Sequence, residues 1–355
     1  MEQPEYETET LVLQGDYFGV VQQHRRGMPV VGELVRMLND EDSGARGGAT
    51  ATLGAIAETD AGAVRPGIPR MIELLGDENS DVRRNAAWAL WVVGESDATA
   101  VRDAVPNLVG LLDDEMGVIR GAVAAALWTI ARNDAEAVKP AVPKLTGLLN
   151  DEVGLVRGAA AANLGLVAQI DAESVKPAAP KLAEMLDDED ANVRRSVIAA
   201  LGGLATSSLD VVKDVAPRLM KMLDDDDAAV RGHSVSTLGV IAEGDPDIVK
   251  PVVPKLVELL DDEDHLVRGH SISALLAVGR SGLGVVRDAM PKLVAMLEHE
   301  DVNLRSAAAT AVAQVARVDP DMVRDAVPGL KKLLEDEDAY VRGAATVALR
   351  MLEDT

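Results

Sequence analysis

One arginine recurs every 37 residues along this chain, at Arg46, Arg83, Arg120, Arg157, Arg194, Arg231, Arg268, Arg305 and Arg342. Self-similarity at a fixed period of roughly 20 to 50 residues marks a solenoid, a propeller or another array, and it rules out a single conventional core. Two more columns keep the register. Proline stands at Pro69, Pro106, Pro143, Pro180, Pro217, Pro254, Pro291 and Pro328, with Gly32 in the first unit. Aspartate stands at Asp40, Asp77, Asp114, Asp151, Asp188, Asp225, Asp262 and Asp336, and His299 replaces it in the eighth unit.

The unit is helical. Val82, Ala86, Leu90 and Val93 repeat at helical spacing, and Val105, Leu108, Leu111 and Leu112 form a second apolar stripe. Each unit therefore reads as two helices joined by an acidic turn. One column, Asp60, Asp97, Asp134, Asp171, Ser208, Asp245 and Asp319, precedes the first helix, where such side chains accept orphan backbone N–H groups. Another, Asp42, Asn79, Asp190, Asp227, Asp264, Asp301 and Asp338, precedes the second. The prolines fall inside the first helix and predict that it bends or breaks, while the second helix runs straight.

The run Pro143-Lys-Leu-Thr-Gly-Leu-Leu-Asn-Asp151, followed by Val156-Arg157 and Ala161-Ala-Asn-Leu164-Gly165, resembles the HEAT repeat and its phycobilin-lyase-like branch. The resemblance covers residues 28 to 352 in nine copies. It implies an all-α fold, a right-handed α-solenoid superhelix of nine helical hairpins with a 37-residue period, second helices on its concave side. It also implies that the aspartate and arginine columns form a structural ladder between neighbouring turns: Asp77, Arg83, Asp114, Arg120, Asp151, Arg157, Asp188, Arg194, Asp225, Arg231, Asp262 and Arg268. Recurrence points the same way, because a catalytic site needs a unique constellation. With no anion at His299, the eighth turn should be looser. The expected division is an N-terminal tail and capping helix over residues 1–27, carrying Tyr17 and Phe18, and one repeat solenoid over 28–355. A unit cannot bury its own stripe alone, so neighbours supply the core and the ends need caps.

Lys and Arg total 35 against 59 Asp and Glu, a formal charge of −24, which repels nucleic acid and anionic membrane. Only eleven of those cations are lysine, and the composition resembles that of proteins from salt-loving cells. There is no cysteine, hence no disulfide or thiolate site. The first residues lack a signal-peptide pattern and no apolar run is long enough to span a bilayer, so a cytoplasmic location is expected.

Little suggests catalysis. The acidic runs Asp224–Asp227, Asp261–Asp264 and Glu335–Asp338 lack the spacing of a calcium loop. The di-iron enzymes of the wider family need several His-Glu pairs, and this chain has only His299-Glu300. His233 and His270 occupy one column in adjacent units and read as groove positions. No metal or cofactor is expected. The local peculiarity is tryptophan: Trp88, Trp91 and Trp128 all lie on second helices of consecutive units, with Arg84 and Asn85 at their edge. Trp91 and Trp128 share a column with Gly54, Gly165, Gly202 and Arg350, a variety that suits a groove better than a core. Beyond them, Ser196, Ser236, Thr237 and Ser273 make the groove small and polar. The expected function is a non-catalytic scaffold holding a protein or peptide in the concave groove through the tryptophans. The alternative, implied by the phycobilin-lyase-like resemblance, is an accessory protein holding a tetrapyrrole or another apolar small molecule. Nucleic-acid binding would have to use Arg84, Arg132, Arg195, Arg280, Arg317 and Arg350 against the net charge.

Overall fold

The computed structural model describes residues 8–279 and 286–353. Every regular element among them is helical. The chain forms two compact units, residues 1–178 and 179–355.

In the first unit the second helices are Ser43–Val64, Ser80–Ser96, Gly117–Asn133 and Gly154–Ala168, each packed on the next. In the other unit the helices Ala191–Ser207, Ala228–Gly244, His265–Gly279, Val302–Ala316 and Ala339–Glu353 stack the same way. The apolar stripe does the packing: Val82, Ala86, Leu90 and Val93 are all fully buried. Burying a leucine or valine stabilises by about 1.5–3 kcal/mol, and the side chains here gain it against both their own first helix and the neighbouring repeat.

In the repeats that carry the column proline the first helix is broken, whereas the first repeat, with Gly32 in that column, has the single helix Val30–Met37. A 3-10 stretch over Ala98–Ala104 runs into the helix Val105–Leu111 with Pro106 in its first turn, and Lys139–Ala141 runs into Val142–Leu148 with Pro143 placed likewise. Proline has no N–H, so it is tolerated where a helix starts and the preceding turn must tighten. Second helices carry no proline and run unbroken for 15 or 17 residues in repeats two to nine.

The caps form in both columns, with exceptions. Asp42, Asn79, Asp190, Asp227, Asp264, Asp301 and Asp338 each accept an N–H from the first turn of a second helix. Asp60, Asp97, Asp134, Asp171 and Asp245 do so for first helices. Ser208 and Asp319, expected to cap, make no such bond.

At the amino end two helices, Thr8–Leu13 and Tyr17–Arg25, lie on the first repeat, where one was expected. Gly48 gives them room: a Cβ there would sit 2.6 Å from Val12 and 3.4 Å from Tyr17. Phe18 takes no part, being 72% exposed. At the other end the last helix is Ala339–Glu353. Thr346 and Arg350 stand in the columns that hold Ile198 and Gly54 in internal repeats, and Tyr340 and Val347 are exposed on the same helix.

Candidate functional site

The aspartate and arginine columns meet as bidentate rungs. Arg46 donates through Nε and Nη2 to the two carboxylate oxygens of Asp77 at 2.8 and 3.0 Å, and Arg120 does the same to Asp151 at 2.6 and 2.9 Å. Arg83 reaches Asp114, Arg194 reaches Asp225, Arg231 reaches Asp262 and Arg305 reaches Asp336. The remaining Nη1 binds two carbonyls of its own turn, as Arg120 does at Asp114 and Glu115 and Arg157 does at Asp151 and Glu152. Each aspartate also accepts the N–H two residues on, as Asp151 does from Val153 and Asp188 from Asp190. Burial pushes the Asp77, Asp151 and Asp262 carboxyls up, but the guanidinium bonds, the backbone N–H and the nearby positive charge outweigh it and hold them below the usual carboxylate range.

Arg268 departs from the expected ladder. Its Nη1 binds the Asp262 and Glu263 carbonyls, but the opposing residue is His299 and its buried Nε has no partner. His299 does half the aspartate's work: its Nδ1 accepts the Asp301 N–H at 2.9 Å. A neutral ring cannot also offer two oxygens to a guanidinium.

A second ladder runs along the first helices and was not read from the sequence. Arg65 pairs with Asp97 at 2.5 Å, Arg102 with Asp134 at 2.9 Å, Lys139 with Asp171 at 3.0 Å and Lys213 with Asp245 at 3.7 Å. The same aspartates that cap their own helix receive a cation from the preceding repeat. The signal was available, as a basic column standing 32 residues before the capping column.

The tryptophans divide into two kinds. Trp88 is packing: its ring lies on Gly54, whose Cβ, if present, would be 2.3 Å from Cζ3. The glycine in that column is the socket for the next repeat's indole. In the same register the next repeat carries Ala125 for Trp91 and Ala162 for Trp128, and both rings are half-buried. Arg132 lies over Trp128 with its guanidinium 4.7 Å from the ring centre, and Glu95 is 3.8 Å from Arg132. Asn85 is held by a bond from its Nδ2 to the Gly47 carbonyl at 3.0 Å, and Arg84 pairs with Asp81 at 2.8 Å. The face is thus two indoles, a cation on one of them, and a polar edge. Gly54→Ala is expected to cost about 1–3 kcal/mol by overpacking. In the Trp88→Ala background that cost should vanish in thermal melts, and strictly additive losses would reject the socket.

In the other unit the corresponding face is small and polar. Ser236, Ser273 and His233 are exposed, and His270 lies against Gly232 beside His233. Burial and the neighbouring His233 lower the pKa of His270. Thr237, expected in the groove, is buried instead, its hydroxyl directed at the Ile198 carbonyl. Arg280 lies outside the described residues. Among the described residues no group of three or more His, Asp or Glu could hold a metal ion, and no helix is long and apolar enough to cross a membrane.

Helix pairs at a 37-residue period, stacked through apolar stripes and pinned by rungs, define an α-solenoid repeat protein. The chain belongs to the HEAT-repeat family: HEAT repeats match residues 68–165, 179–276 and 253–350. Among solved structures it is similar to an engineered protein at 24% identity, covering 99% of this chain and 97% of that one with a TM-score of 0.80. It is also similar to a designed armadillo repeat protein at 21% identity, over 59% of this chain and 98% of that one, with a TM-score of 0.54. These likenesses speak to the fold alone. No curated protein matches the sequence.

Proposed function

We propose that the protein is a non-catalytic scaffold that holds a protein or peptide on its second-helix face, anchored at Trp91 and Trp128. The observation that supports this is the pair of half-buried indoles on the second helices, one with Arg132 over its ring, while Trp88 has a socket. Tryptophan is enriched among interface hot spots, and a fixed ring flanked by Arg132 offers both apolar area and a hydrogen-bond donor. A charge of −24 favours a basic or neutral partner over nucleic acid. The composition fits a cytoplasm rich in salt, where carboxylate repulsion is screened.

The test is a peptide library displayed against the folded chain, followed by the double variant Trp91→Ala, Trp128→Ala. Selected peptides should bind at least about tenfold more weakly to the variant, the loss expected of a hot spot worth 1.4 kcal/mol or more, while its circular dichroism and melting stay near those of the parent. Undiminished binding to a folded variant would move the site elsewhere.

A further inference from the structure

On the first-helix side of the second unit, the segment Arg287–Met296 and the 3-10 stretch Pro320–Ala326 of the next repeat leave an open cavity of about 700 Å³ between them. Its floor is apolar: Met290, Pro291 and Val294 from one repeat, Met322 from the next. Its rim carries Arg287 on one side and Asp319, Asp321 and Asp325 on the other.

The cavity sits where the second ladder fails. Elsewhere the column aspartate caps its helix and takes a cation from the preceding repeat, as Asp97, Asp134, Asp171 and Asp245 do. Asp319 does neither: it makes no cap bond, and Arg287 is not within ion-pair distance of it. Asp321 is engaged by Arg324 at 2.6 Å, which leaves the Asp319 and Asp325 carboxylates with hydrogen-bonding capacity unspent. The rung that joins the same two repeats at their acidic turns, Arg305 to Asp336, is intact, so the opening is confined to the first-helix side. Only the first-helix clamp is absent, and the cavity lies beside it.

We propose that this cavity is a binding site for an organic cation with an apolar body, of the kind presented by an alkylammonium. Its volume lies within the usual range of small-molecule sites, about 300–1,000 Å³. Methionine side chains adapt to an alkyl chain of undetermined shape. With Asp321 paired to Arg324, the Asp319 and Asp325 carboxylates face one guanidinium, Arg287, and in a chain carrying −24 they select a positive head group. The ammonium occupies the place that the lysine or arginine of the preceding repeat fills at the other rungs.

The experiment titrates hexylammonium and, separately, hexanoate into the full chain labelled with methyl-13C methionine, with Met290→Leu and Met322→Leu to assign the two signals. Hexylammonium should shift both methyls saturably and hexanoate should not. Asp319→Asn with Asp325→Asn, the first half-buried and the second exposed, neither making a cap bond or ion pair among the described residues, should weaken the hexylammonium response at least tenfold without changing the melting curve. The proposal is overturned by an absence of saturable shifts with hexylammonium, by equal responses to the two ions, or by a response that survives the double variant.

Discussion

Replacing His299 with aspartate is expected to stabilise the protein by about 1.5–3 kcal/mol, the net contribution of a charge-assisted hydrogen bond. Every geometric requirement is already met. Arg268 is held in the ladder position by two carbonyls, its Nε is buried and unpartnered, and the position-299 side chain already accepts the Asp301 N–H as the ladder aspartates do. Only a pair of oxygens is missing, and the arginine cost of desolvation is borne already in the parent. Urea unfolding should report the gain. Hydrogen exchange should localise it, with amides near residues 299–305 more slowly exchanging in the variant and less protected in the parent than those of the turn at Asp262. A variant no more stable than the parent, or equal protection at the two turns, would show that the histidine rung is complete by a route other than the guanidinium.

How far the sequence disclosed this architecture follows from where the information lies. A rung joins residues at a constant separation, Arg46 to Asp77 and Arg305 to Asp336, so it writes itself into the period. The broken first helices were legible for a similar reason, because proline acts on its own backbone whatever surrounds it. What stayed hidden depended on which face of one repeat meets which face of the next. Asp97 read as a cap and is one, but its second bond, to Arg65, needs the spacing between neighbours. Trp88 read as part of an exposed cluster, yet it belongs to Gly54, and only the packed register separates it from Trp91 and Trp128. Thr237 reads as a polar groove residue until its helix is rotated into place, which puts it between helices. Tertiary register is a property of pairs of repeats, and column-by-column reading treats repeats singly.

The largest loss is expected on breaking an intact rung from its cationic side. In Arg120→Met the methionine keeps much of the arginine's stem packing, but Asp151, whose side chain is 4% exposed, loses both guanidinium bonds and keeps only the Val153 N–H. The Asp114 and Glu115 carbonyls lose their donor as well. Removing one partner of a buried pair costs about 3–5 kcal/mol, because the other charge is left uncompensated. The pH dependence distinguishes this cause from lost packing. In the parent the folded-state pKa of Asp151 is depressed, so the rung's stabilisation is present above the unfolded carboxylate value of about 3.9 and is lost as pH falls through the lower folded value. In the variant burial is opposed by far less, so the same carboxyl is pushed upward; folding then favours the protonated acid, and stability falls as pH rises through that raised value. The gap between parent and variant should therefore be widest near neutrality and shrink towards pH 4. Asp151→Asn added to Arg120→Met should recover part of the loss, since a neutral amide retains the turn without a buried charge. A gap that is constant with pH, with no recovery in the double variant, would mean that the rung acts through shape alone.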